Sequence, residues 1–247
     1  MTRRETFEQD GFVAVPNFCG AEQLAGIEDA LRRFMSRRLI KLPSEHVFFE
    51  DPTDPSTLKQ IQRLHDHDEF FGAFMAGAPR RLAEELLGEP VVGKNLQYFN
   101  KPPAIGQATP PHQDGFYFML EPCRALTMWM ALDVVDAENG CVRYVRGSHT
   151  RGMRPHGRTE TLGFSQSITD FGQPVDSENE VACPAQPGDL LVHQALTIHR
   201  ADANASATRN RRALGFIFYA ESARENVAAH EAYQAELATE LAVAGKI

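Results

Sequence analysis

Apolar residues recur at helical spacing through Leu24, Ile27, Leu31 and Met35, following Gly20, and again through Leu82, Leu86 and Leu87, which run up to Gly88. A stripe at three- and four-residue intervals is the buried face of a helix, and a glycine just past its end supplies the left-handed turn that closes it. Residues 1–89 are therefore expected to be helical support. From about Pro90 the period drops to two. Segments 90–99, 125–135, 140–145, 188–193 and 213–220 are rich in β-branched and aromatic residues and are separated by turn signals, the pattern of strands half-buried on one face. Asn139-Gly140 predicts a hairpin between two of them. Ser222 with Glu225 reads as a capping box opening a last helix that runs to about Ala244, within the segment 221–247. Helices, then antiparallel strands over 90–220, then one helix, make the expected fold mainly β. It is a double-stranded β-helix (jelly roll) core with flanking N-terminal helices and a C-terminal helix, one domain over 1–247.

One stretch breaks the pattern. Residues 150–181 carry many polar side chains with glycines and prolines between two strand clusters. A loop of about thirty residues inside a compact domain is expected to be a lid or binding loop.

Composition narrows the partners. The chain has 247 residues, 43% of them hydrophobic, with a net charge of −8, so nucleic acid and anionic membranes are poor partners and a small-molecule substrate is expected. No apolar run approaches the ~18 residues of a membrane span. Met1-Thr2-Arg3-Arg4-Glu5-Thr6 leads into polar residues, so no signal peptide is expected. Cys19, Cys123, Cys141 and Cys183 form no CxxC pair and read as reduced, buried thiols of a cytoplasmic protein. Nothing in the sequence fixes an oligomeric state.

The chemistry starts at His112-Gln113-Asp114. In an extended segment residues two apart face the same way, so His112 and Asp114 can meet one ion while Gln113 points elsewhere. Pro110-Pro111 before them and Gly115 after them disfavour a helix. A lone HxD is more often a pair of surface residues; a distant third ligand changes that. His193 and His199 both qualify, and His199 is preferred because the polar run Arg200-Ala201-Asp202-Ala203-Asn204 follows it, as a strand opens into a loop at a barrel mouth. His193, after Leu190-Leu191-Val192, reads as packed or as supporting a ligand, and His149 as a turn residue. Two imidazoles and one carboxylate hold non-haem Fe(II) on adjacent positions and leave others open for a co-substrate and O2. Arg211, twelve residues past His199, is placed to anchor the far carboxylate of a 2-oxo acid through paired charge-assisted bonds.

Four separated blocks together resemble the phytanoyl-CoA dioxygenase family of Fe(II)/2-oxoglutarate oxygenases. They are Lys101-Pro102-Pro103, Pro111-His112-Gln113-Asp114-Gly115, the run Glu138 to His149, and His199…Asn204…Arg211-Arg212-Ala213-Leu214. The resemblance spans roughly residues 55 to 220. It implies His112, Asp114 and His199 as iron ligands, and Arg211 as partner of the distal carboxylate of 2-oxoglutarate. It also implies Trp129, Gln97 and Lys59 as further co-substrate contacts, and O2 as oxidant. Asp114 fills the place that is small in related halogenases, so hydroxylation is the expected outcome.

Three departures from the family pattern bear on this. The usual spacing from histidine to arginine is one residue shorter, so Arg209 or Arg212 could replace Arg211. Ala201 stands where a serine hydroxyl commonly reaches the carboxylate, leaving that bond to a donor such as Thr127. Arg146 stands in place of a proline and brings a charge near the expected lid. Substrate contacts are expected from Phe116, Tyr117 and Phe118, and from the loop through His156, Arg158, Phe164 and Gln166, a set that suits a small or medium molecule with an acidic group. The competing expectations are a cupin-type metal enzyme that does not use 2-oxoglutarate, and a non-catalytic jelly-roll binding protein.

Overall fold

The structure is a computed structural model and describes residues 1–159 and 166–243. Its helices are α1 (Arg3–Asp10), α2 (Ala21–Arg38), α3 (Leu64–His67), α4 (Glu69–Ala76), α5 (Ala78–Leu87), α6 (Gly115–Phe118), α7 (Pro174–Asn179) and α8 (Val227–Val243). The strands of the first half are β1 (Phe12–Val15), β2 (Val47–Phe49), β3 (Leu58–Ile61), β4 (Val91–Lys101), β5 (Thr109–His112), β6 (Leu120–Glu121) and β7 (Ala125–Ala131). Those of the second half are β8 (Val142–Val145), β9 (His156–Arg158), β10 (Gln166–Ile168), β11 (Glu180–Cys183), β12 (Leu190–Gln194), β13 (His199–Ala201), β14 (Arg211–Ala220) and β15 (Arg224–Glu225).

Two sheets carry the architecture. A seven-stranded sheet runs β1-β12-β7-β14-β4-β3-β2 and a four-stranded one runs β11-β8-β13-β5; the pairings within them are antiparallel. Alternation assigns the faces of the large sheet. Leu126, Met128 and Met130 of β7, Leu190 and Val192 of β12, and Leu214, Phe216 and Phe218 of β14 pack in one core with Phe7, Ile27, Leu31, Phe34, Phe71, Leu82 and Leu86 of the helices. The opposite face carries Trp129, Leu191 and Ala213, which meet Val142, Tyr144 and Cys183 of the small sheet. The helices thus cover the outside of the large sheet, and the interior between the sheets is left for the site. This is the double-stranded β-helix, with Gly88 closing α5 in the left-handed conformation (φ 74°) as the sequence indicates.

Four local expectations change. The first 89 residues also supply β1, β2 and β3, all members of the large sheet. Asn139-Gly140 does not join a hairpin, because β7 and β8 lie in different sheets; it turns the chain from one sheet to the other. Gly140 has φ +83°, and a Cβ there would come 2.3 Å from the Asp202 carbonyl oxygen. The last helix begins at Val227, with the Asn226 side chain accepting from the Ala229 N–H (3.1 Å), while Ser222 is bound to Glu89 instead. Arg146 pairs its side chain with Asp10 of α1 (3.1 Å), although its backbone N–H donates to the Asn179 carbonyl of the 150–181 segment (2.9 Å). No helix among the described residues is long and apolar enough to cross a membrane.

Candidate metal centre and its anion pocket

His112 ends β5 and His199 opens β13, and the two are direct partners across the small sheet. Their rings lie 4.1 Å apart. Asp114 reaches them by a turn, not by strand alternation: its backbone is already helical (φ −58°, ψ −32°) at the head of α6. One ligand atom from each of the three lies within 4.8 Å of the others. Asp114 Oδ1 faces His112 Nε2 at 3.5 Å and His199 Nε2 at 3.7 Å. Bonds of roughly 2.1 Å at right angles would set such donors roughly 3 Å apart, so the set fits a single ion after a small contraction.

The surroundings fix each donor. His112 Nδ1–H donates to the Pro110 carbonyl (2.8 Å) and His199 Nδ1–H to the Thr197 carbonyl (3.0 Å). A carbonyl can only accept, so both Nε2 atoms keep their lone pairs toward the centre. Burial, with the imidazoles of His112 and His193 close by, drives the His199 pKa well down and keeps it neutral. Asp114 is oriented by its second oxygen. Oδ2 accepts from Thr127 Oγ1 (2.5 Å) and from His193 Nε2 (3.0 Å), and Tyr144 OH donates in turn to His193 Nδ1 (3.1 Å). Burial works against the Asp114 anion, while the hydrogen bond from His193 favours it, and the balance leaves its pKa well below the ordinary carboxylate range.

Two residues further along β7 from Thr127 lies Trp129, 7% exposed, with the Arg211 guanidinium carbon 4.9 Å from its ring centre. Arg211 opens β14, is 4% exposed, and donates from Nε to the Gly140 carbonyl (3.0 Å). No carboxylate among the described residues pairs with it. Burial pushes its pKa down to about 10, which leaves it charged at neutral pH. The neighbouring arginines face outward: Arg209 pairs with Asp136 and Glu138, and Arg212 with Asp133 and Glu28. The extra residue between His199 and Arg211 is taken up in a loop organised by Asn204, whose amide donates to the Lys101 and Arg209 carbonyls. Gln97 shares a row with Trp129 through Gly215 and accepts from Gln60 (2.6 Å). Lys59 is buried and pairs with Glu50 at 3.2 Å.

Other expected contacts fall differently. Thr127 sits against Asp114, not beside Arg211, so its hydroxyl is committed to the carboxylate ligand. Tyr117 presents its ring edge to His112 at 6.0 Å, and its OH is bound to the backbone of Gln166. Phe116 stacks on His156 at 4.4 Å. His156 is used at both nitrogens, accepting from Gln113 N–H (3.2 Å) and donating to the Arg154 carbonyl (2.8 Å). It is a neutral prop for the loop, not a cationic substrate contact. Phe118 is a core residue packed on Tyr219. Arg158 lies 5.6 Å from the ring of Tyr233 on α8. Phe164 lies outside the described residues. His149 touches α1 through Glu8 and stays apart from the centre. Gln113 and Lys101 were missed as candidates. Gln113 is fully buried and ties the metal strand to the 150–181 segment through Gly152 and Arg154, and to the connection before His199 through Leu196; an amide side chain between two ligands was the available signal.

Residues 7–213 match the phytanoyl-CoA dioxygenase (PhyH) family model. The peroxisomal phytanoyl-CoA dioxygenase of Bos taurus is 22% identical over 217 residues, covering 83% of this chain and 64% of that protein, so the chain spans less than two thirds of the length of that curated relative. The fold matches the epimerase SnoN, solved with Fe3+, alpha ketoglutarate and a nogalamycin (TM-score 0.72, 24% identity, covering 90% and 84% of the two chains). It also matches EvdO2 from Micromonospora carbonacea var. aurantiaca, solved with 2-oxoglutarate (TM-score 0.70, 26% identity, 90% and 91%). With the family model covering the helical support, the strands that carry the three donors and the start of the strand that carries Arg211, this chain belongs to the phytanoyl-CoA dioxygenase family.

Proposed function

We propose that this protein is an Fe(II)- and 2-oxoglutarate-dependent dioxygenase that hydroxylates an unactivated C–H bond of a small-molecule metabolite. The overall balance is 2-oxoglutarate, O2 and R–H giving succinate, CO2 and R–OH. The observation that carries the reading is Arg211: a guanidinium 4% exposed, without a carboxylate partner among the described residues, in the interior that holds two imidazoles and a carboxylate. A buried unpaired charge is costly, and a bound anion removes the cost. The level of the metal donors, marked by Thr127, and the level of Arg211, marked by Trp129, are two residues apart on β7, roughly 7 Å. A five-carbon diacid spans that distance, with its keto-acid end at the donors and its far carboxylate at Arg211. EvdO2, which is similar over most of both chains, is described with 2-oxoglutarate bound.

His112, Asp114 and His199 would hold the iron, which when bound supplies O2 activation and the oxidising power for the C–H bond. The protein's own residues provide order. Pro110 and Thr197 carbonyls point the imidazoles; Thr127 and His193 fix which oxygen of Asp114 faces the ion; Trp129 floors the guanidinium so that it meets a carboxylate edge-on. Gln97 and Lys59 line the far end. The substrate side is Tyr117 with Gln166, Phe116 against His156, and Arg158, flanked by β9 and β10, which help to exclude water. The aromatic edge and Arg158 favour a compact acidic molecule.

The test is conversion of 2-oxoglutarate to succinate with Fe(II) and ascorbate, for the wild type and Arg211→Ala, alongside anaerobic calorimetry of 2-oxoglutarate binding. Turnover in the wild type and loss of both in the variant are expected. A wild-type protein that binds metal but neither binds nor consumes 2-oxoglutarate overturns the proposal, in favour of a metal enzyme of another kind.

A further inference from the structure

Arg211 does not stand alone at the far end of the site. Its direct partner across β14 and β4 is Lys101, and cross-strand partners have Cβ atoms roughly 5 Å apart on the same face. Lys101 is 6% exposed and Arg211 4% exposed. Neither pairs with a carboxylate among the described residues. The nearest acidic side chains are engaged elsewhere: Asp202 with Arg143 (2.8 Å) and Arg200 (2.6 Å), and Glu50 with Lys59 (3.2 Å). Like charges opposite each other weaken a sheet, and burying both without a counter-ion costs more. Such a pair fits a fold that closes around an anion.

We infer that Lys101 supplies a second cationic contact, alongside Arg211, for the distal carboxylate of the 2-oxo acid, and so sets the preference for a dicarboxylate; this rests on the 2-oxoglutarate reading above. The geometry leaves the ammonium able to act. Nζ donates to the Asp202 carbonyl (2.7 Å) and, at 3.4 Å, to that of Ala201, which uses two of three donors. Those carbonyls belong to the segment that leaves β13 just after His199. Lys101 therefore links the anion pocket to the strand that carries a metal donor, and filling the pocket steadies that strand.

The chain has one tryptophan, Trp129, under the Arg211 guanidinium, so its fluorescence reads the pocket directly. The experiment titrates Mn(II)-loaded protein with 2-oxoglutarate and with 2-oxopentanoate, which has the same chain length but no distal carboxylate. Lys101→Met is expected to weaken 2-oxoglutarate roughly 10- to 100-fold, the value of a hydrogen bond to a charged group, while leaving 2-oxopentanoate within about twofold. Lys101→Arg is expected to restore part of the loss. Lys101→Gln keeps a donor for the Asp202 carbonyl without the charge; it must show the same selective loss, and it carries the test if the methionine variant does not fold. Equal weakening of both acids means that Lys101 acts only through the fold, and no change in either means that it does not act; both outcomes overturn the inference. A wild type that binds neither acid overturns the 2-oxoglutarate reading itself, an outcome visible before any variant is made.

Discussion

Thr127→Val separates two roles for one hydroxyl. Thr127 Oγ1 lies 2.5 Å from Asp114 Oδ2, and His193 Nε2 is the other donor to that oxygen at 3.0 Å. Valine keeps the β-branched shape on a central strand and removes only the donor, so the sheet is expected to fold unchanged. A hydrogen bond to a charged acceptor contributes about 1.5–3 kcal/mol. Losing it frees the carboxylate to rotate, so that Oδ1 no longer faces both imidazoles. Partners of metal ligands are typically worth about 10- to 100-fold in affinity, and that is the expected weakening for Fe(II), measured by anaerobic calorimetry, or for Mn(II) in air. Thr127 and His193 share one oxygen, so Thr127→Val combined with His193→Gln is expected to be non-additive. Metal affinity within about threefold of wild type, with 2-oxoglutarate binding weakened instead, would refute the reasoning and return Thr127 to the co-substrate.

Three further outcomes follow from the same geometry. Mn(II) at about 100 times its Kd stabilises by about 2.7 kcal/mol, expected as a rise in Tm of about 5–10 °C that EDTA reverses and Asp114→Ala abolishes. Gly140→Ala forces a side chain onto a backbone carbonyl at φ +83°, and urea unfolding is expected to show a loss of about 2–4 kcal/mol; a loss below about 1 kcal/mol would mean that the turn is not held as described. Burial, Arg211 and Lys59 hold the Lys101 ammonium well below its ordinary pKa, against the opposing charges of Asp202 and Glu50. A bound carboxylate raises that pKa, so 2-oxoglutarate binding is expected to take up protons and to weaken as pH rises. Calorimetry in buffers of different ionisation enthalpy reads the uptake, which Lys101→Met should remove.

The parts of this site that could be read from sequence have two origins. Trp129 on β7 and Arg211 at the head of β14 lie in or beside segments whose composition predicts a strand, whereas His112 and His199 lie on β5 and β13, too short to carry a period, and were legible only through residue chemistry and spacing. β2 and β3 were invisible as strands for want of a period. Each is three or four residues long, Lys59-Gln60 interrupts the apolar pattern, and a register shift lies between Phe48 and Phe49; they become strands only because β4 offers an edge. Asn139-Gly140 carries the same local signal whether it turns a hairpin or crosses between sheets. The choice is made far away, where Asn139 donates to the Asn210 carbonyl (3.4 Å) and Gly140 abuts Asp202. His193 was legible as a packed or supporting residue, and it is one: it shares the parity of Leu191, which faces inward, opposes that of Leu190 and Val192, and donates to Asp114.

Asp114 shows why the rest could not be read. Its two oxygens belong to different sheets. Oδ1 faces His112 and His199, partners on the small sheet, whereas Oδ2 is held by Thr127 and His193 from adjacent strands of the large one. Sequence spacing can nominate the carboxylate, because a turn at the end of β5 must deliver it somewhere. Spacing cannot say which oxygen is free, since that depends on two residues, Thr127 and His193, that lie 13 and 79 positions later on other strands and meet it only after the sheets close. The same closure buries Arg211 opposite Lys101. The chemistry-bearing residues are therefore local signals, but their orientation, and the charge left waiting for an anion, are properties of the interface between the two sheets.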